Sequence, residues 1–394
     1  MKFAAALHSY GATAHGLEQA MGNIVSQLDL KSQFFSTPTA IMAAFDTADG
    51  GQHSTLTRLK PSGINLQKML ELDALGDEII AREIDIDNAE LKLDQIINTP
   101  APYSRLVEAS AYSIIGGTVT VFFGTGLSEL VISTIISLIV GLLAVTLYFH
   151  PQTARFFEFL AAILVSLMAS LVYVFYPHFS VQLVTLASLI VFLPGLSLTI
   201  SMTELATENL ASGTARLMQA ITVFLKLGFG VVLGTELSKI FFENIDFSYK
   251  SLEVIPHYYM WFALPLAAVG FMILFRAKLK DYYWILSACL VAYFSAYFTT
   301  KYLSPELSPF IGGFLVGLAA NLYARFMKHP AAMISMPGLI LLVPGSIGFR
   351  GLSMLVEKNT LLGIDATVHM FMIAVALVAG LLLASILITP KRSL

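Results

Sequence analysis

The chain has 394 residues, 56% of them hydrophobic and only 12% charged, with a formal net charge of −3. A soluble domain carries roughly twice that charged fraction, so the composition excludes an ordinary soluble protein, and the slightly negative charge gives no footprint for nucleic acid. The single cysteine, Cys289, excludes a disulfide within the chain and, in an apolar run, reads as inert packing.

Residues 1–105 read as a small soluble α/β domain. Phe3, Leu7, Tyr10, Ala14, Leu17, Met21, Ile24 and Leu28 recur at steps of three and four, which predicts one amphipathic helix. The β-type segments QFFSTPTAIMAAF and STLTRLK follow, separated by the turn signal Asp49-Gly50-Gly51. Helices are predicted over 65–82 and 87–98, the second with Asp87 or Asn88 as N-cap. Asp85-Ile86-Asp87-Asn88 lacks the Gly and distal Glu of a Ca²⁺ loop, so capping is the preferred reading. Thr99-Pro100-Ala101-Pro102 closes the domain, and the opening FAAAL is too short for a signal-peptide core.

From Tyr112 onward the chain is dominated by apolar runs near the ~20 residues a bilayer requires. They predict ten spans, at 109–127, 130–149, 157–176, 181–203, 214–235, 258–275, 282–300, 308–326, 332–349 and 366–388. With a cytoplasmic N-terminus, Arg155, Arg216, Arg276, Lys278, Lys280, Arg325, Lys328, Lys391 and Arg392 fall inside. Lys239, Lys250, Lys301, Arg350 and Lys358 fall outside. Both termini are therefore expected to be cytoplasmic.

The stretch LPGLSLTISMTELATENLASG meets VPGSIGFRGLSMLVEKNTLLG at a constant offset, from 194 to 344. Pro194-Gly195 aligns with Pro344-Gly345, Leu205 with Leu355, Asn209 with Asn359 and Gly213 with Gly363. The preceding spans align too, FLAAILVSLMASL with FIGGFLVGLAANL. This predicts a 5+5 inverted repeat, 106–255 and 256–394, because an odd number of spans turns the second copy upside down. Secondary transporters use that plan, with the site at discontinuous helices between the repeats.

Pro removes a backbone donor and Gly lowers the cost of a bend, so each Pro-Gly should break its helix where protein or water satisfies the freed groups. Such groups suit a small zwitterion. Pro337-Gly338 reads as a third break, and Ser346 beside the second joins the candidate pathway. Glu204, at the edge of a broken helix, reads either as a proton or ammonium partner or as a solvated loop residue. The same two readings hold for Arg216, while Glu208 reads as solvated. Asn209, Ser212 and Gly213 lie between these charges, and Arg350 is a permanent cation near its span's end. Lys226 is the most deeply placed charge; it snorkels, pairs with Glu204 or Glu236, or couples transport. Asn321 and Tyr323 either line a cavity or bond between helices. Gly230/Gly234 and Gly313/Gly317 have the spacing of close helix contacts. The eight histidines form no metal-like cluster, and no nucleophile motif or Walker loop supports an enzyme or an ATP-driven pump.

LHSYGATAHGLEQAMGNIVSQLDL, TPTAIM, LPGLSLTISMTELATENLASGTARL and SPFIGGFLVGLAANLYARFMKHPAAMISMPGLILLVPGSIGFRGL together resemble the threonine/serine exporter family of bacteria and fungi. The resemblance implies a secondary exporter of small amino acids, threonine and serine first, driven by protons in a bacterial cytoplasmic (inner) membrane. It implies no cofactor. Glu204 stands where the family usually has Asp, and Ser212, Gly213 and Arg216 match its pattern. Other small carboxylates, such as dicarboxylates, are the alternative cargo. A membrane-anchored sensor or scaffold is the alternative class. Assembly as a homo-oligomer is left open.

Overall fold

The structure is a computed structural model. It describes all residues except 28–30, 47–49, 60–62, 148–150, 242–254, 357–358 and 390–394. Asp49 of the expected turn and the topology charges Lys250, Lys358, Lys391 and Arg392 lie outside the described residues.

The N-terminal region opens with two helices, α1 (Lys2–Ser9) and α2 (Ala14–Gln27), where the periodicity predicts one. The break comes at Gly11, whose φ of +106° is left-handed backbone that a β-carbon disfavours. The apolar spacing runs through the break because both helices bury the same face. Leu7, Leu17 and Met21 meet Ile41, Leu72, Leu75 and Leu93 in one core.

Three strands follow, β1 (Ser32–Thr37), β2 (Ala40–Asp46) and β3 (Gln52–Arg58), as an antiparallel sheet in the order β1-β2-β3. Pro38-Thr39 turns the first hairpin, so QFFSTPTAIMAAF is two strands rather than one. Ile41 and Ala43 face the helices, while Phe35, Met42 and Leu56 stand in register on the exposed face.

α3 (Leu66–Ile80) and α4 (Ile86–Asn98) complete the region. The cap of α4 is Asp85, whose carboxylate accepts from Asn88 N, and not Asp87 or Asn88. Asn65 caps α3 by accepting from Lys68 N at 3.0 Å.

The apolar part is helical: α5 (Arg105–Phe122), α6 (Leu127–Leu147), the short α7 (Pro151–Ala154), α8 (Phe157–Phe175), α9 (Val181–Leu189), α10 (Gly195–Ala206) and α11 (Leu210–Phe241). Then come α12 (Met260–Leu274), α13 (Tyr282–Tyr302), α14 (Ser308–Met327), α15 (Ala332–Leu342), α16 (Gly345–Val356) and α17 (Thr360–Leu387). Among the described residues, seven helical segments, α15–α16 counted as one, are long and apolar enough to cross a membrane, or eight if the bent pair α9–α10 is one span. The two other expected spans, 109–127 and 258–275, correspond to α5 and α12, which fall outside that count. α12 has only 15 residues, and α5 carries Arg105 and Glu108 in its first turn.

α8 packs on α11 and α14 on α17. Gly230 and Gly313 permit this closeness: a β-carbon on Gly230 would stand 2.7 Å from Phe159 O, and one on Gly313 would strike the backbone of Leu377. α10 lies against both α11 and α17, and α16 likewise against both. The two Pro-Gly segments therefore occupy the middle of the bundle. Cys289 is fully buried in α13.

Candidate functional site

The helix α9 tightens into a 3-10 turn at Ile190–Phe192, and the chain then extends at Leu193 (φ −67°, ψ 128°) before α10 restarts at Gly195. α15 ends the same way, with Val343 extended (φ −68°, ψ 144°) before Pro344. A residue preceding proline is pushed out of the helical region, which is why both breaks fall one residue early. Each proline carbonyl restarts the next helix: Leu198 N donates to Pro194 O at 2.9 Å and Gly348 N to Pro344 O at 3.0 Å.

The turns beyond the breaks also close alike. Asn209 N donates to Glu204 O at 2.8 Å, and Asn359 N to Met354 O at 2.9 Å. Gly213 lies against Leu205, and Gly363 against Leu355.

The breaks touch each other. A β-carbon on Gly195 would stand 3.3 Å from Gly345 Cα, and one on Gly345 would stand 3.4 Å from Gly195 Cα. Beside this contact lies a cavity of about 310 Å³ walled by α5, α12 and both breaks. Gly195, Gly345 and Ser346 reach it, and Ile, Leu and Val side chains together with Tyr112, Phe123, Phe271 and Phe275 make its wall largely apolar. A cavity of this size suits a small molecule, with the aromatic rings against an apolar body and the helix breaks against polar ends.

Ile64, Tyr112 and Phe123 line this candidate site, and sequence reasoning did not single them out. Ile64 is an apolar residue in a polar Pro-Ser-Gly connection, which is the one signal it gave. Arg350 lies over the Phe123 ring, its Cζ 5.2 Å from the centroid.

Glu204 is not in this cavity and it is not solvated, being only 1% exposed. Arg216 holds it by two bonds, Nε to Oε2 at 3.1 Å and Nη2 to Oε1 at 3.3 Å. Ser212 Oγ donates to Oε2 at 3.1 Å, and Ala14 N, at the start of α2, donates to Oε1 at 3.2 Å. Both oxygens are thus engaged, one of them by the N-terminal region. Glu208 is exposed at φ +63° in the turn that follows. Asn209 bonds locally, its amide donating to Thr207 O at 3.1 Å.

Other expectations change. Lys226 pairs with neither Glu204 nor Glu236. Its Nζ donates to Arg155 O at 2.9 Å and stands 3.7 Å from Glu158 Oε2. Those partners flank the start of α8, so Lys226, although it stands in the middle of the 32-residue α11, lies beside the end of a neighbouring helix. Pro337-Gly338 breaks nothing, because α15 continues through it to Leu342. Gly338 instead lets Val316 of α14 approach, its would-be β-carbon 2.7 Å from Val316 Cγ1. Asn321 bonds between helices, donating to Ile388 O at 2.9 Å. Tyr323 is buried against Trp284, and its hydroxyl has no partner among the described residues.

The region that supplies Ala14 is fastened to the bundle elsewhere. Leu66 N donates to Phe275 O at 2.8 Å, and Tyr103 Oη to Ala277 O at 2.6 Å. Lys278 pairs with Glu71 at 2.9 Å, while the nearby Arg276 pairs with Glu108 of α5 at 3.0 Å within the bundle.

Comparison with known proteins adds a lineage to this geometry. A family model for the threonine/serine exporter matches residues 1–238, and a second, "Threonine/Serine exporter, ThrE", matches 260–387. The chain is 25% identical over 380 residues to pheromone-regulated membrane protein 10 of Saccharomyces cerevisiae, covering 93% of this chain and 49% of that one. It is 25% identical over 358 residues to the protein of that name from Eremothecium gossypii, covering 89% and 48%. The chain thus spans about half the length of these curated relatives. No solved structure matches it.

Proposed function

This chain belongs to the threonine/serine exporter family, and from that premise we propose that it is a secondary transporter of a small amino acid, working by alternating access about the two Pro-Gly breaks. The observation that carries the proposal is the contact between Gly195 and Gly345 beside a cavity of about 310 Å³. Two short helices that begin at one point can swing about it and expose the cavity to either side in turn.

The proposal extends to a duplicated 5+5 architecture behind an N-terminal domain of residues 1–105. The like turns at Asn209 and Asn359, and the like contacts of Gly213 and Gly363, support it. The proposal places the N-terminal domain in the cytoplasm, and Arg155, Arg276, Lys278, Lys280 and Arg325 at the ends expected inside support that orientation.

Serine and threonine are the first cargo to test. The apolar wall favours a second reading, an amino acid with an apolar side chain, and no Lys or Arg among the described lining residues offers a dicarboxylate a second cation. Arg350 is the proposed partner for the cargo carboxylate, since no acid is paired with it among the described residues and its stacking on Phe123 brings it to the cavity edge. Proton coupling is part of the proposal, but Glu204 is not its carrier, because Arg216, Ser212 and Ala14 already occupy both oxygens.

The test is efflux from proteoliposomes loaded with labelled serine, threonine, valine or succinate under an imposed pH gradient. Efflux of at least one amino acid is expected. Retention of all four would rule the reading out.

A further inference from the structure

One wall of the cavity comes from outside the bundle. Ile64 lies in the connection between β3 and α3, two residues before α3 begins, and it lines the cavity together with Tyr112 and Phe275. The chain is pinned just beyond it. Asn65 N donates to Tyr10 O at 3.1 Å, and Leu66 N to Phe275 O at 2.8 Å, on the last turn of α12. Ile64 also lies against Gly11, where a β-carbon would stand 3.3 Å from Ile64 Cγ1.

The turn that holds Ile64 is the turn that holds Glu204. Over residues 10–14 the chain takes Asn65 on Tyr10 O, receives Ile64 on Gly11, and ends at Ala14, whose N–H goes to the Glu204 carboxylate. Glu204 closes α10, and α10 opens at Gly195 on the cavity wall. One helix of 12 residues therefore joins the break to the docking point. If α10 swings about Gly195, its far end either carries the N-terminal domain along or lets go of Ala14.

The domain is also held on its other side: Leu66 and Met69 are buried in one core with Phe271 and Ile285, Tyr103 Oη donates to Ala277 O, and Lys278 pairs with Glu71. Those contacts gather near Phe275–Lys278, apart from the Ala14–Glu204 bond on α10, and a gating element opens at one side while another stays fixed.

We propose that the N-terminal domain is the gate of this transport cavity, with Ile64 as the plug and the Ala14–Glu204 hydrogen bond as the latch. The inference rests on the transporter reading above, and names the part of the chain that opens one side.

Two substitutions separate plug from latch. Ala14→Pro deletes the donated N–H, and proline is well tolerated in the first turn of a helix. Ile64→Ala shortens the plug and leaves the latch alone. Each is placed in a full-length Cys289→Ala background carrying Ser346→Cys as reporter on the cavity wall. The reconstituted protein is treated with a small, charged, membrane-impermeant thiol reagent from the side of the N-terminal domain.

Slow labelling is expected in the parent. Labelling should be about tenfold faster or more in Ala14→Pro, the size expected for losing one hydrogen bond to a charged acceptor, and faster again than the parent in Ile64→Ala. Equal rates in all three proteins overturn the gate, as does fast labelling of the parent. The readout needs no cargo: faster labelling without efflux of any amino acid sinks the transport reading and keeps the gate, and efflux with unchanged labelling does the reverse.

Discussion

Glu204 joins three segments through one carboxylate: α10 carries it, α11 supplies Arg216 and Ser212, and α2 supplies Ala14 N. Arg216 is itself only 21% exposed, so the pair is largely withdrawn from water. Removing one member of such a pair leaves the other charge uncompensated, at a cost of about 3–5 kcal/mol. Glu204→Gln is therefore expected to lower thermal stability by an amount of that order, measured in detergent, without changing the pH dependence of any transport. An unchanged melting midpoint would contradict the assignment. His8, in the same region, is buried; its Nε2–H donates to Thr37 O at 3.0 Å, while Nδ1 has no partner among the described residues. Burial lowers its pKa from the ordinary histidine value, against the pull of the Thr37 carbonyl. The folded protein then binds fewer protons here than the unfolded chain, so stability is full above about pH 6.5 and falls as pH drops below it. His8→Gln should flatten that acid slope, read as melting midpoint against pH. The sequence marked Glu204 and Arg216 as charges near a break, but a partner such as Ala14, some 190 positions away, leaves no trace in local spacing.

At the scale of elements, the two breaks were legible because a Pro-Gly pair acts on its own backbone, whatever surrounds it. Pro337-Gly338 has the same letters and no break: α15 runs on through it to Leu342, with Val316 of α14 packed onto Gly338. The amphipathic pattern over residues 3–28 hid the turn at Gly11 for the opposite reason: two helices burying one face read as one. The contact between breaks predicts asymmetric effects of added methyl groups. Gly195→Ala places a carbon 2.7 Å from Val343 Cγ2 and 3.3 Å from Gly345 Cα, so it should cost about 1–3 kcal/mol through overpacking. Gly22→Ala, in the middle of α2 with nothing within 4 Å of the new carbon, should instead stabilise by ~0.5–1 kcal/mol. Chemical denaturation of both variants checks the pair. Equal effects would mean that the breaks are not in contact.

At the scale of the whole molecule, membrane class and family were legible from composition and from the two Pro-Gly segments, and seven or eight of the ten expected spans have the length and apolarity of a membrane helix. Hydropathy counts apolar runs, but α12, at 15 residues, is a run shorter than a span. The N-terminal region is tied to the bundle at Glu204, Phe275 and Ala277, so it belongs to the working unit and is not a separate appendage. Central to the account is that cargo crosses where Gly195 meets Gly345. The most direct measurement compares amino-acid efflux from proteoliposomes carrying the parent, Gly195→Val or Gly345→Val, after equal insertion and folding have been verified. The account predicts efflux by the parent and its loss in both valine variants, whose side chains would wedge the two breaks apart. Parental efflux rates in either folded variant would contradict it.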